Sequence, residues 1–120
     1  MSVYREYLMN QFSEILTNYE TVDMLWLDYS FSDGDDGIGR KDWGSIELIK
    51  KVRKLQPEII VNDRLDLKEY WGGWDFTTPE QFKVNEWPSY KGEKFPWETC
   101  QTFSGSWGCY RDELKWKENK

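Results

Sequence analysis

Two short apolar runs with one amphipathic helix between them constrain this chain more than any other feature. The first is "VDMLWLD", residues 22 to 28, and the second is "EIIVND", residues 58 to 63. Each has the length of a strand rather than of a helix. Between them Trp43, Ile46, Ile49, Val52 and Leu55 step by three, basic residues fill the gaps, and Pro57 supplies the stop. Strand, helix, strand in that order predicts a parallel pair joined by a right-handed crossover, with both faces of the strands covered. A further amphipathic helix is expected over residues 3 to 19, where Tyr4, Leu8, Phe12, Ile15, Leu16 and Tyr19 recur at three- and four-residue spacing.

Both apolar runs finish in polar residues able to do chemistry: Asp28 after the first, and Asn62, Asp63 and Arg64 around the end of the second. In α/β barrels and in open α/β sheets, that C-terminal strand edge is where sites are built. From Leu65 onward regular periodicity fades into stretches rich in Gly, Pro and aromatics. Short extended pieces, "FKVNEW" and "ETCQTF", lie between them. The chain opens in a helix and closes on "RDELKWKENK", which reads as a helix barely begun. An α/β barrel takes about 250 residues, and 120 supply about half. The expectation is one partial α/β domain spanning residues 1–120.

Sixteen Lys and Arg face 22 Asp and Glu, a net charge of −6, and this argues against a nucleic-acid footprint. "KKVRK" reads as the solvated face of the second helix. No window approaches the roughly 18 apolar residues of a membrane span, and the N-terminus shows no signal-peptide pattern. The compartment stays unassigned. Cys100 and Cys109 are too few for a disulfide scaffold; they either pair or stay reduced. Aromatics reach 18%, and six of the eight Trp lie from Trp71 onward. So many indoles suit either a platform for flat apolar faces, sugars included, or large side chains packed under long loops.

The chain holds no histidine, so Ser-His and Cys-His nucleophile chemistry has no base among these residues. Two cysteines and no histidine also exclude a four-ligand zinc site. "DGDDG" fails the calcium-loop spacing, because Gly37 is the fifth residue from Asp33 and Gly44 occupies the twelfth. No metal or cofactor is expected. What survives is a pair of carboxylates with an arginine and aromatics. Asp28 closes a strand, Glu80 follows Pro79 in "WDFTTPE" with Trp74 and Phe76 near to shield it, and Arg64 follows the second strand.

Four motifs in order and spacing, "VDMLWLDYS", "LQPEIIVNDR", "WDFTTPE" and "WETCQTFSGSWGCY", resemble the α-L-fucosidases of glycoside hydrolase family 29. The resemblance implies the C-terminal half of a (β/α)8 TIM-type barrel, incomplete in this chain, whose N-terminal half lies elsewhere. It implies Asp28 as nucleophile, Glu80 as general acid/base, and Trp26, Arg64 and Trp107 as fucose contacts. The implied substrate is a fucosylated oligosaccharide or glycoconjugate, hydrolysed with retention and without a cofactor. The family's sugar-binding histidines lie upstream of this stretch, and Tyr29 stands where many members have Gly. Retaining glycosidases set two carboxyl groups about 5–5.5 Å apart. An Arg64 cation would keep Asp28 ionised, and apolar shielding with the Asp28 charge would keep Glu80 protonated. A non-catalytic, aromatic-rich carbohydrate-binding module is the alternative, and it needs no histidine.

Overall fold

The structure is a computed structural model that describes residues 2–28, 30, 38–70, 72–81, 86–108, 111–112 and 116–117. The first helix, α1, runs Ser2–Asn18. Its buried stripe is narrower than the spacing suggests: Phe12 and Leu16 are buried and Leu8 and Met9 pack against them, whereas Ile15 and Tyr19 stay exposed.

The second helical stretch is split. A short turn, α2 (Arg40–Trp43), ends at Gly44, whose φ of 65° is left-handed and favours glycine, and α3 then runs Ser45–Leu55. The inward face of α3 is Ser45, Leu48, Ile49 and Val52. A strict step of three drifts around a 3.6-residue helix, so of the series beginning at Trp43 only Ile49 and Val52 are fully buried. Gln56 leaves the helix with φ −137° and ψ 91°, as a residue before proline prefers. Its side-chain amide donates to the carbonyls of Leu16 and Glu20, and its side-chain oxygen accepts the Val22 amide at 2.8 Å. One side chain thus ties α1, α3 and the first strand.

That strand, β1 (Met24–Leu25), pairs in parallel with β2 (Ile60–Val61), Met24 opposite Ile60 and Leu25 opposite Val61. The ladder continues beyond the named strands. Asn62 bridges Phe76, Thr77 bridges Trp97, and Glu80 bridges Cys100, all parallel. The segments around residues 24, 61, 77 and 98 therefore stand side by side in chain order as one four-position parallel wall. Asp75 fastens the third position: its carboxylate accepts the Val61 amide at 2.7 Å and Arg53 at 2.6 Å.

Between the third and fourth positions lies a small antiparallel hairpin, β3 (Ser89–Tyr90) with β4 (Glu93–Lys94). Lys91 and Gly92 both have positive φ, 50° and 84°, the signature of a tight turn matched to strand twist. Of the expected extended pieces, "ETCQTF" joins the wall through Cys100, while residues 82–85 of "FKVNEW" lie outside the described residues. The closing segment is not helical where it is described. Residues 111–112 form a turn, and the Lys117 amide donates to the Phe103 carbonyl at 2.7 Å.

The core sits on one side of the wall, where Phe12, Leu16, Leu48, Ile49, Val52, Ile59, Val61, Leu65 and Leu67 meet. The expectation that both faces of the strands are covered is not met. Met24, Trp26 and Ile60 remain 40–47% exposed, because the described helices pack against one face only.

Candidate active site

Parallel partners point their side chains to the same side, and the register fixes which residues share the open face. From Met24 opposite Ile60, two steps of two bring Asp28 level with Arg64. From Asn62 opposite Phe76, one step brings Arg64 level with Thr78, and Glu80 follows. Trp26, Asp28, Arg64, Thr78 and Glu80 therefore occupy one face at the C-terminal rim.

Each is held by its neighbours. Asn62 is fully buried; its side-chain amide accepts from the Leu27 N–H at 3.1 Å and donates to the Leu27 carbonyl at 2.8 Å. That pair of hydrogen bonds to the backbone locks the residue immediately before Asp28. Arg64 is fixed by three contacts besides its carboxylates. Nε donates to Thr78 Oγ1 at 2.6 Å, Nη2 donates to the Thr78 carbonyl at 2.8 Å, and its own carbonyl accepts the Ser30 hydroxyl. Thr78 is itself anchored, donating its N–H and hydroxyl to Asp63 Oδ1 at 3.0 and 2.9 Å. Around Glu80 the chain is clasped by the fourth wall position, where Cys100 N donates to the Pro79 carbonyl and Gln81 N to the Cys100 carbonyl.

So positioned, Arg64 bridges both acids with a single nitrogen. Nη1 donates to Asp28 Oδ1 at 3.1 Å and to Glu80 Oε1 at 2.6 Å. Those two lengths cap the separation of the two oxygens at about 5.7 Å, within reach of the roughly 5–5.5 Å of a carboxylate pair acting on one glycosidic bond with retention. The guanidinium also lies over the Trp26 ring, 5.3 Å from its centroid. The Arg64 side chain is only 16% exposed against 60% for Asp28 and 47% for Glu80. Burial would lower the guanidinium pKa, but the hydrogen bond it donates to Glu80 and the charges of Glu80 and Asp28 prevail and raise it above its usual value. Burial likewise pushes up the Cys100 thiol, a free cysteine, with Arg64 pulling the other way. Cys109, its candidate partner, lies outside the described residues.

Four of the five expected site residues thus meet: Trp26, Asp28, Arg64 and Glu80. The fifth, Trp107, stands 61% exposed in the bends of residues 103–108, and no hydrogen bond or ring contact of the described residues ties it to the cluster. The shielding expected over Glu80 is also absent. Trp74 packs on Phe95 at 4.6 Å and on Tyr90 at 6.2 Å, Phe76 is buried, and Glu80 faces Arg64 instead. Sequence reasoning missed Thr78 and Glu98. Glu98 lies on the same face at the fourth position and accepts the Trp26 indole N–H; a carboxylate one residue after Trp97, with alternating side chains, was the available signal. Among the described residues no group of three or more His, Cys, Asp or Glu is placed to hold a metal ion, and no helix is long and apolar enough to cross a membrane.

A cavity of about 400 Å³ opens beside Arg64, Thr78 and Glu80, in the size range of small-molecule sites. A parallel α/β wall with helices behind it and acids at its C-terminal rim places those acids at the edge where α/β enzymes build their sites. The whole chain, residues 1–120, matches the family model described as alpha-L-fucosidase, and it belongs to that family. It is similar to alpha-L-fucosidase isoenzyme 1 from Paenibacillus thiaminolyticus, at 32% identity and a TM-score of 0.76, with 98% of this chain and 28% of that one covered. It is also similar to alpha-L-fucosidase AlfC from Lactobacillus casei, solved in complex with its α-L-fucose product. There the identity is 27%, the TM-score 0.53, and the coverage 90% of this chain and 29% of that one. The chain thus spans under a third of the solved relatives it matches. A search of the curated proteins found no match.

Proposed function

We propose that these residues form the C-terminal half of a (β/α)8 catalytic barrel that hydrolyses terminal α-L-fucosyl linkages with retention. Four wall positions in chain order, half of an eight-stranded barrel, support the architecture. The observation that carries the chemistry is the single Arg64 nitrogen bonded to both Asp28 and Glu80. The solved relatives support the substrate: AlfC is solved with α-L-fucose as product, and a mutant of it with 4-nitrophenyl-α-L-fucopyranoside as substrate.

In this reading Asp28 attacks the anomeric carbon while Glu80 protonates the departing oxygen, so the glycosidic bond breaks as the Asp28 ester forms. Glu80, now a carboxylate, takes a proton from water, and the hydroxide formed displaces Asp28. Arg64, bonded to both carboxylates, keeps the two acids at one spacing. Trp26 offers the apolar face of the sugar a ring, and Trp107 is the remaining candidate contact. No cofactor enters the reaction.

In the complete enzyme, Asp28→Ala should remove nearly all turnover of an aryl α-L-fucoside while the circular dichroism spectrum is kept; near-normal rates would end the nucleophile assignment. Glu80→Ala should lose at least about tenfold less on an activated aryl fucoside than on a natural glycoside, because only the poor leaving group needs the proton. Equal losses on both would remove the acid role. The exposed indoles of Trp87, Trp107 and Trp116 favour one second reading, a non-catalytic sugar-binding module. That reading predicts saturable sugar binding by the 120 residues, unchanged by Asp28→Asn.

A further inference from the structure

The cavity lined by Arg64 and Glu80 extends from them to the hairpin. Its far wall is an aromatic shelf built from two segments the wall brings together: Trp74 at the start of the third position, and Tyr90 and Phe95 on the hairpin. Trp74 wedges between the other two, edge-on to Tyr90 at an interplanar angle of 77° and tilted against Phe95 at 4.6 Å. The shelf is anchored from behind. The Tyr90 hydroxyl donates to Glu69, and Lys91 bonds the other Glu69 oxygen at 2.7 Å, so the hairpin is pinned to the loop that follows β2.

We propose that this shelf is the subsite for the leaving group, and that it takes a neutral pyranose whose apolar face lies on Tyr90 and Phe95. The proposal rests on the fucosidase reading above. Three observations select this occupant. Glu80, the residue that would protonate the departing oxygen, lines the same cavity as the shelf, so whatever is attached to that oxygen lies along it. The other charged residues lining the cavity each have a partner of opposite sign: Asp63 pairs with Lys68 across the lining at 3.8 Å, and Asp66 pairs with Arg40, outside it, at 3.5 Å. An ionic leaving group would meet no uncompensated partner there. Finally, a ring-sized volume bounded by aromatic faces with a few polar groups suits a sugar, which offers C–H on its faces and hydroxyls at its rim.

The test compares two fucosyl donors in the complete enzyme: α-L-fucosyl fluoride, which carries no second ring, and a neutral fucosyl disaccharide. The readout is kcat/KM on the disaccharide divided by kcat/KM on the fluoride. Tyr90→Ala should lower that ratio by about tenfold, and Tyr90→Phe, which keeps the ring, should leave it within about twofold. Should Tyr90→Ala fail to fold, Phe95→Leu reads the same ratio and should lower it in the same direction. A ratio unchanged in the folded variants overturns the subsite, because the shelf would then not distinguish a donor with a second sugar from one without. Wild-type enzyme that turns over neither donor overturns the fucosidase reading beneath it instead.

Discussion

Among the described residues the Arg64 guanidinium meets the side chains of Trp26, Asp28, Thr78 and Glu80, and its arrangement depends on residues that never touch either acid. Asp63 accepts both the N–H and the hydroxyl of Thr78, and Thr78 in turn accepts Arg64 Nε. If Arg64 sets the spacing of Asp28 and Glu80, the Thr78 hydroxyl positions the whole pair. Thr78→Val removes that hydroxyl at nearly constant volume and leaves Asp63 and Arg64 Nε each short of a partner, at a cost of about 1–3 kcal/mol. In the complete enzyme kcat on an aryl fucoside should fall by at least about tenfold with little change in KM, and Thr78→Ser should restore most of it. A Val variant with full kcat would show that Arg64 holds its place without Thr78. Arg64 itself was legible from "NDR" after a strand. Thr78 was not, because a threonine in "TTP" reads as turn chemistry until the third wall position places it opposite Arg64.

At the scale of elements, the hairpin and the loop after β2 are joined by charge rather than by packing. Glu69 sits well exposed, yet its hydrogen bonds from Lys91 and then from Tyr90 hold its carboxyl below the usual glutamate range. The same contacts raise Lys91 and Tyr90. A carboxyl depressed in the folded state contributes its stabilisation in full above its ordinary pKa and loses it as pH falls through the depressed value. Acid titration should therefore release the hairpin from the Glu69 loop below the ordinary glutamate range. The change should appear in the fluorescence of Trp74, which packs on Tyr90, and Glu69→Gln should abolish the transition. A transition that persists in the Gln variant would assign it to another carboxylate. Neither β3 nor β4 was expected from periodicity, since two-residue strands offer no repeat to detect. The Lys91–Gly92 turn was the only local trace.

For the whole molecule, the open face decides behaviour. Met24, Trp26 and Ile60 lie together on the wall opposite the core and stay 40–47% exposed, even with Arg64 and Glu98 against Trp26. Contiguous apolar surface on a parallel wall favours association. The isolated 120 residues should bind a hydrophobic dye and sediment as more than a monomer at micromolar concentration. They should also show no fucosidase turnover. A dye-silent monomer with a cooperative melt would mean that this face is satisfied within the chain itself.

What the amino-acid order determined by itself was local. It set the helices, through a 3.6-residue stripe, the stop at Pro57, two parallel strands on either side of a helix, and the carboxylate that closes the first. Apart from the strand pairing, those properties depend on near neighbours in sequence. The tertiary structure decided what depends on register. It brought Asp28, Arg64 and Glu80 to one level of one face, made Thr78 and Glu98 part of that face, left Trp107 apart, and uncovered one side of strands that read as buried. Register is set by pairing between segments 14 to 36 residues apart, and a shift of one residue would turn every one of these side chains to the opposite face.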